Sequence, residues 1–142
     1  GKNVAPQPVE TAINESRYIE ISALIGNNRK YVIVLIVPQF GNVMAWAEKK
    51  GIGGGREEVL RHPEVRRLFE EEVKKAVRGF APHEQPKKVV IMEREWSVET
   101  GELTPTLKVR MREIEKKYAA LIEKAYAEDA GTESKVAAAA SE

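Results

Sequence analysis

The chain has no cysteine, so disulfides and thiolate metal sites are excluded. Histidine is nearly as scarce, and neither His62 nor His83 has a partner at ligand spacing, so no metal site is expected. Charge of one sign is also missing. The 23 basic and 22 acidic residues leave a net charge of +1, unlike the strongly basic balance of a general polyanion binder. Aromatics are 6% of the chain and are not interleaved with its basic residues, as stacking on nucleic-acid bases would use. The longest uninterrupted aliphatic run, Val32 to Val37, is far shorter than the roughly 20 residues that span a bilayer. Gly1-Lys2 leads straight into polar, proline-punctuated sequence, so no signal peptide is expected, and a cytoplasmic protein or a fragment of one is the default.

What is there suits one compact domain. The chain has 142 residues, 42% of them hydrophobic, enough for a real core. Pro6 and Pro8 prepare a short amphipathic helix ending near Ser16. Tyr18 to Ile25 alternates, with Ile19, Ile21, Ala23 and Ile25 on one face and Tyr18, Glu20 and Ser22 on the other, as in a half-buried strand. Gly26-Asn27-Asn28 supplies a hairpin turn with positive φ. Lys30 to Val37 returns as a strand buried on both faces, the sheet centre, and Pro38 stops it. Phe40, Val43, Met44, Trp46 and Ala47 mark a helix ending at Gly51. Gly51-Ile-Gly-Gly-Gly55 lacks the Lys-Ser/Thr of a phosphate-binding loop and reads as a connector. Pro63 opens a second helix with Val65, Leu68, Phe69, Val73, Ala76 and Val77 on one face, and Gly79 closes it. Lys87 to Met92 is a third strand, and Trp96 and Val98 are expected to pack the loop that follows.

The rest is organised around Gly101-Glu-Leu-Thr-Pro-Thr-Leu-Lys-Val-Arg-Met-Arg112. Thr104-Pro105-Thr106 reads as a turn, because proline fixes its own φ and biases the residue before it. Met111, Ile114, Tyr118, Leu121, Ile122 and Ala125 then form one apolar stripe of a long helix. Lys108 falls on the loop or first turn ahead of that helix, with Arg110 and Arg112 behind it. A cation there works against the helix macrodipole. That is tolerable on a solvated basic face, which the charge pattern alone favours, and it also suits a residue meant to meet an anion. Residues 129–142 are alanine- and serine-rich and read as a tail with at most residual helix. The pattern gives an α+β domain over residues 1–128. It has a small mixed sheet of about three main strands and an N-terminal hairpin edge, covered by helices.

Leu103-Thr-Pro-Thr-Leu-Lys-Val-Arg resembles the C-terminal lysine motif of the adenylate-forming enzymes, in the version of the long-chain fatty acid–CoA ligases. The opening Gly1-Lys-Asn-Val-Ala-Pro-Gln-Pro-Val-Glu10 resembles the glycine-led hairpin just past that family's hinge. Tyr31-Val32 and Leu35-Ile-Val-Pro38 match the strand between them, so the resemblance covers about residues 1 to 128. The helical segment from Phe40 to Gly79 is similar to the long-chain branch. The resemblance implies a mobile C-terminal lid of an AMP-forming ligase that activates fatty acids with ATP and Mg2+ and passes them to coenzyme A. It implies that Lys108 serves the adenylation step alone. It also implies that Gly1 approaches the pantetheine arm of coenzyme A, with Lys2 and Asn3 flanking that channel. The implied partner is the adenylation domain that would precede Gly1, which holds the nucleotide loop, acyl pocket and hinge acid. The isolated domain is therefore expected to be inactive. No nucleic-acid partner is implied, and peripheral membrane association of the parent stays open. Val109-Arg-Met-Arg112 fits the motif loosely. The other readings are the lid of a different adenylate-forming enzyme, a purely structural interaction domain, or a stand-alone module binding RNA or an acidic partner through Lys108, Arg110, Arg112, Lys116 and Lys117.

Overall fold

Nothing polar interrupts Ile33–Pro38, and in the computed structural model this strand, β2, is buried along its whole length at the middle of the sheet. The first strand, β1 (Ile19–Ile25), pairs with it antiparallel, and β3 (Val89–Ile91) pairs with its other edge in parallel. The sheet is therefore mixed, and the fold is α+β. The structure describes residues 4–128 and the backbone of 135–136. Gly1, Lys2 and Asn3, and with them the N-terminal hairpin edge, lie outside the described residues. Within the tail, Lys135–Val136 is extended rather than helical and adds to β3 in parallel as a two-residue strand, β4.

The helices in chain order are α1 (Pro6–Ile13), α2 (Phe40–Lys49), α3 (Arg56–Arg61), α4 (Pro63–Ala76), α5 (Met111–Lys117) and α6 (Ala119–Ala127). α1 packs on β1 and on α4, which in turn packs on β3, so these two helices cover the sheet together. Val9 and Ile13 from α1, Val65 and Phe69 from α4, and Ile33 to Ile36 from β2 are all fully buried in one core. Burying such side chains contributes about 1.5–3 kcal/mol each, which makes this layer the main source of stability.

Three local expectations change. The pairing register of β1 shifts between Ile19 and Ile21, so the alternation fails after the bulge and Ser22 turns inward. Its hydroxyl donates to Asn14 Oδ1 at 2.7 Å, which makes the burial tolerable. In the β1–β2 turn only Asn28 takes a positive φ, 59°. Gly26 is needed for another reason: a Cβ there would come within 2.3 Å of Val32 Cγ1. Third, Arg56–Arg61 is a helix of its own, held by Glu58 accepting from Gly55 N at 3.0 Å and by Arg56 stacking 3.8 Å above the Phe40 ring. Gly51, with φ 76°, ends α2 as expected. His62 begins α4, its Nδ1 accepting from Glu64 N at 3.1 Å.

Lys88 is the least expected member of the core. It is 4% exposed, and its Nζ donates to the carbonyls of Ala125 at 2.7 Å and Glu128 at 2.9 Å. The strand thereby caps the C-terminus of α6, where backbone carbonyls lack partners and the macrodipole favours a cation. Charge-assisted hydrogen bonds of this kind contribute about 1.5–3 kcal/mol. Lys88→Met should destabilise the chain by about 2 kcal/mol, read as a fall in Tm of about 6 °C. An unchanged Tm would show that the cap contributes nothing.

Candidate functional site

Lys108 sits on a tight hairpin rather than on a helix turn. Leu103 and Val109 form an isolated antiparallel bridge at its base. Thr104 N donates to Lys108 O at 2.8 Å, and Leu107 N donates to Thr104 O at 2.7 Å. Pro105-Thr106-Leu107 is therefore a three-residue loop with proline at the position its fixed φ suits. Leu107, with φ 64°, supplies the left-handed residue that such a loop places third and that glycine usually occupies. Thr104 Oγ1 accepts from Lys108 N at 3.0 Å and lies 3.1 Å from Thr106 Oγ1, so its side chain ties across the loop it opens. The Lys108 backbone is thus fixed while its side chain is exposed. α5 begins only at Met111, so the macrodipole argument applies to Arg112 in the first turn and not to Lys108.

The hairpin is anchored by a residue that the sequence pattern did not single out. Glu102 is 1% exposed and accepts from Lys117 Nζ at 2.7 Å, Tyr118 OH at 2.7 Å, Thr100 Oγ1 at 2.5 Å and Ser97 N at 3.3 Å. Its own carbonyl accepts from Arg110 N at 2.8 Å, just ahead of α5. Burial pushes the Glu102 carboxyl up, but the hydrogen bonds from Lys117, Thr100, Tyr118 and Ser97 outweigh it and hold the group below the usual carboxylate range. Burial, together with that carboxylate, pushes the Tyr118 hydroxyl well above its ordinary value. One carboxylate thereby joins the 97–102 turn, the lysine hairpin and the α5–α6 junction.

That junction breaks the single long helix expected from the apolar stripe. Tyr118, at φ −108° and ψ 24°, separates α5 from α6, although Tyr118 N still reaches Ile114 O at 2.9 Å and Ile122 N reaches Tyr118 O at 2.9 Å. The stripe survives the break: Ile114, Tyr118, Leu121, Ile122 and Ala125 are all buried. Trp96 is also buried and stacks on Tyr118 with centroids 6.1 Å apart. Val98, expected to pack beside it, is 42% exposed. Ser97 and Thr100 close a turn on each other at 2.8 Å, and Val98 stands outside it.

Of the residues singled out by resemblance, the structure describes Lys108. Gly1, Lys2 and Asn3 lie outside the described residues. Val4, which follows them, lines an open cleft of about 750 Å³ with Leu24, Asn27, Lys30, Met111 and Arg112. Lys108 is not part of its described lining, so the cleft at Val4 is bordered by α5 rather than by the lysine hairpin. Of the other cations near Lys108, Arg110 lies 3.8 Å from Glu113 and Lys117 belongs to Glu102. Arg29, which also lines the cleft, pairs with Glu123 and lies 4.5 Å over the Tyr126 ring. Among the described residues no group of three or more His, Asp or Glu side chains is placed to hold a metal ion. Nor is any described helix long and apolar enough to cross a membrane.

A mixed sheet covered by helices, with a tied hairpin on which the Lys108 side chain is exposed, defines a small α+β domain. The model of the AMP-binding enzyme C-terminal domain matches residues 1–130, and the chain belongs to that family. It is 26% identical over 129 residues to human long-chain-fatty-acid–CoA ligase 1, a match covering 89% of this chain and 18% of that enzyme. It is 30% identical to rat long-chain-fatty-acid–CoA ligase 5 over 129 residues, 89% of this chain and 19% of that one. The chain thus spans about a fifth of the length of the curated relatives it matches. It is the C-terminal domain of an AMP-binding enzyme related to these ligases. The adenylation domain of a carboxylate reductase from Mycobacterium chelonae has the same fold over 86% of this chain and 18% of that one, with TM-score 0.69 and 18% identity. So does that of a carboxylic acid reductase from Segniliparus rugosus in complex with AMP and a co-purified carboxylic acid (TM-score 0.68, 22% identity, 89% and 18% coverage).

Proposed function

We propose that this chain is the mobile lid of an AMP-forming long-chain fatty acid–CoA ligase, with Lys108 as its adenylation residue. The observation that carries the reading is the tied hairpin, which fixes the backbone at Lys108 while leaving its ammonium free to reach an anion. In the first half-reaction the fatty acid carboxylate oxygen attacks the α-phosphorus of ATP. The bond to the β-phosphate oxygen breaks, pyrophosphate leaves and acyl-adenylate forms. Two anions must approach, and negative charge builds on the transferring oxygens. The Lys108 side chain donates hydrogen bonds to those oxygens, offsetting the repulsion in the transition state.

In the second half-reaction the thiol of coenzyme A loses its proton to solvent, its sulfur attacks the acyl carbonyl carbon, the acyl carbon–oxygen bond of the mixed anhydride breaks and AMP leaves. The lid rotates between the two steps, so Lys108 withdraws and the segment beginning at Gly1 comes to the pantetheine channel. There a residue without Cβ lets the backbone approach closely. Lys2 and Asn3 flank the channel. A magnesium ion accompanying ATP would be held by the phosphates and the preceding domain, where it would offset phosphate charge; no described group of three or more carboxylates or imidazoles here would hold it. The parent works in the cytoplasm, with peripheral membrane association left open. The isolated chain lacks the acyl and nucleotide sites and does not turn over.

The test is the substrate profile of the full-length parent. Long-chain fatty acids should support AMP release coupled to coenzyme A thioester formation, and acetate and benzoate should not. The 142-residue chain alone should give neither product. AMP release without any thioester would move the reading to another adenylate-forming enzyme.

A further inference from the structure

Among the described residues the exposed large hydrophobics are Leu107, at 65%, and Val98, at 42%. Both belong to the segment that carries Lys108. Leu107 ends the loop of the hairpin, and Val98 lies in the turn whose Ser97 carbonyl accepts from Leu103 N at the hairpin's base, 3.2 Å. A single exposed leucine is ordinary. This one is also held at φ 64°, a conformation that glycine adopts freely and leucine only against its own Cβ. Glycine at this position would remove both the strain and the bared apolar surface. A side chain kept under strain persists where something else compensates for it, and within this chain its exposure leaves it little to pack against.

We propose that Leu107 is a positioning residue that packs against the preceding adenylation domain when the lid is closed for adenylation, fixing the hairpin so that Lys108 points at the α-phosphate. This rests on the lid reading above. The occupant follows from that reading, since residue 108 must enter the catalytic centre of that domain and residue 107 goes with it. The matched ligases also leave about four-fifths of their length outside this chain. An ammonium on a flexible four-carbon stem does not orient the loop that bears it. An apolar contact one residue away does, and it excludes water from the same place.

The variants are Leu107→Asn, Leu107→Gly and Leu107→Met in the full-length enzyme. Asparagine tolerates the left-handed conformation but is polar, glycine relieves the strain, and methionine keeps the apolar bulk. Fatty-acid-dependent ATP–pyrophosphate exchange should fall in kcat by about tenfold or more for Asn and Gly, equivalent to about 1.4 kcal/mol, and stay near wild type for Met. Thioester formation from preformed acyl-adenylate should be unchanged in all three. The Tm of the 142-residue chain carrying Leu107→Gly should equal or exceed that of wild type. Wild-type exchange in Leu107→Asn overturns the proposal, as does an equal loss in both half-reactions. Lys108→Ala in parallel separates the two levels. If it too exchanges normally the lid reading fails, whereas if it alone loses exchange only the role of Leu107 fails.

Discussion

Lys108→Ala in the full-length parent should lose fatty-acid-dependent ATP–pyrophosphate exchange by about two to four orders of magnitude, or about 3–5 kcal/mol of transition-state stabilisation. Thioester formation from preformed acyl-adenylate should be largely kept. The magnitude follows from what one fixed cation can do where charge develops in a site shielded from water, where removing a single positioned donor costs about 100- to 1,000-fold. On the proposed reading the asymmetry follows from rotation of the lid, because an interaction made in one closed state cannot affect the other. Lys108→Arg should recover little, since a planar fork on a longer stem does not reproduce the position of a compact ammonium. Equal loss in both half-reactions would point instead to a folding defect or to a lid that does not rotate.

The next largest effect is expected at Glu102, on stability rather than chemistry. Glu102→Ala strands Tyr118 OH in the interior and frees Lys117, whose side chain is 45% exposed and can return to water. Breaking a fully buried pair costs about 3–5 kcal/mol, and the exposure of Lys117 brings the expected loss to about 2–3 kcal/mol. Glu102→Gln keeps the shape and should lose about half of that. The pH dependence gives an independent check. The folded-state carboxyl is held below its ordinary value of about 4.5, so its stabilisation is complete above that pH and is lost as pH falls through the folded-state value. The wild-type chain should therefore lose stability more steeply than Glu102→Gln below about pH 4.5. Parallel curves for the two proteins would remove the carboxylate from the account.

How much of this was legible before the coordinates depended on how far apart the partners lie in sequence. β2 was plain because an aliphatic run bounded by Pro38 has no polar face to expose, and α4 because Val65, Phe69 and Val73 repeat at helical spacing. The lysine motif was legible as a turn because Thr104 and Pro105 act on their immediate neighbours. Glu102 was not, since its partners Lys117 and Tyr118 are 15 and 16 positions away and only the fold brings them together. Lys88 was hidden in the same way, 37 residues from the Ala125 carbonyl it caps. A lysine at a strand's edge ordinarily signals solvent. The break at Tyr118 left no mark either, because the apolar stripe runs through it without a change of phase. Leu107 concealed its left-handed backbone, which a glycine at the third loop position would have announced.

Amine-reactive labelling of Lys108 in the full-length parent, read by mass spectrometry in each ligand state, tests the central claim most directly. The side chain is exposed in this structure, so the free enzyme should label readily. With a non-hydrolysable ATP analogue and a long-chain fatty acid bound, the amine should be protected by about tenfold or more, the extent expected if the open state is populated at about 10% or less. Adding coenzyme A to the enzyme holding a stable acyl-adenylate analogue should expose it again as the lid turns. Labelling at the same rate in every state would contradict the account, because an amine that never leaves solvent cannot stabilise the adenylation transition state.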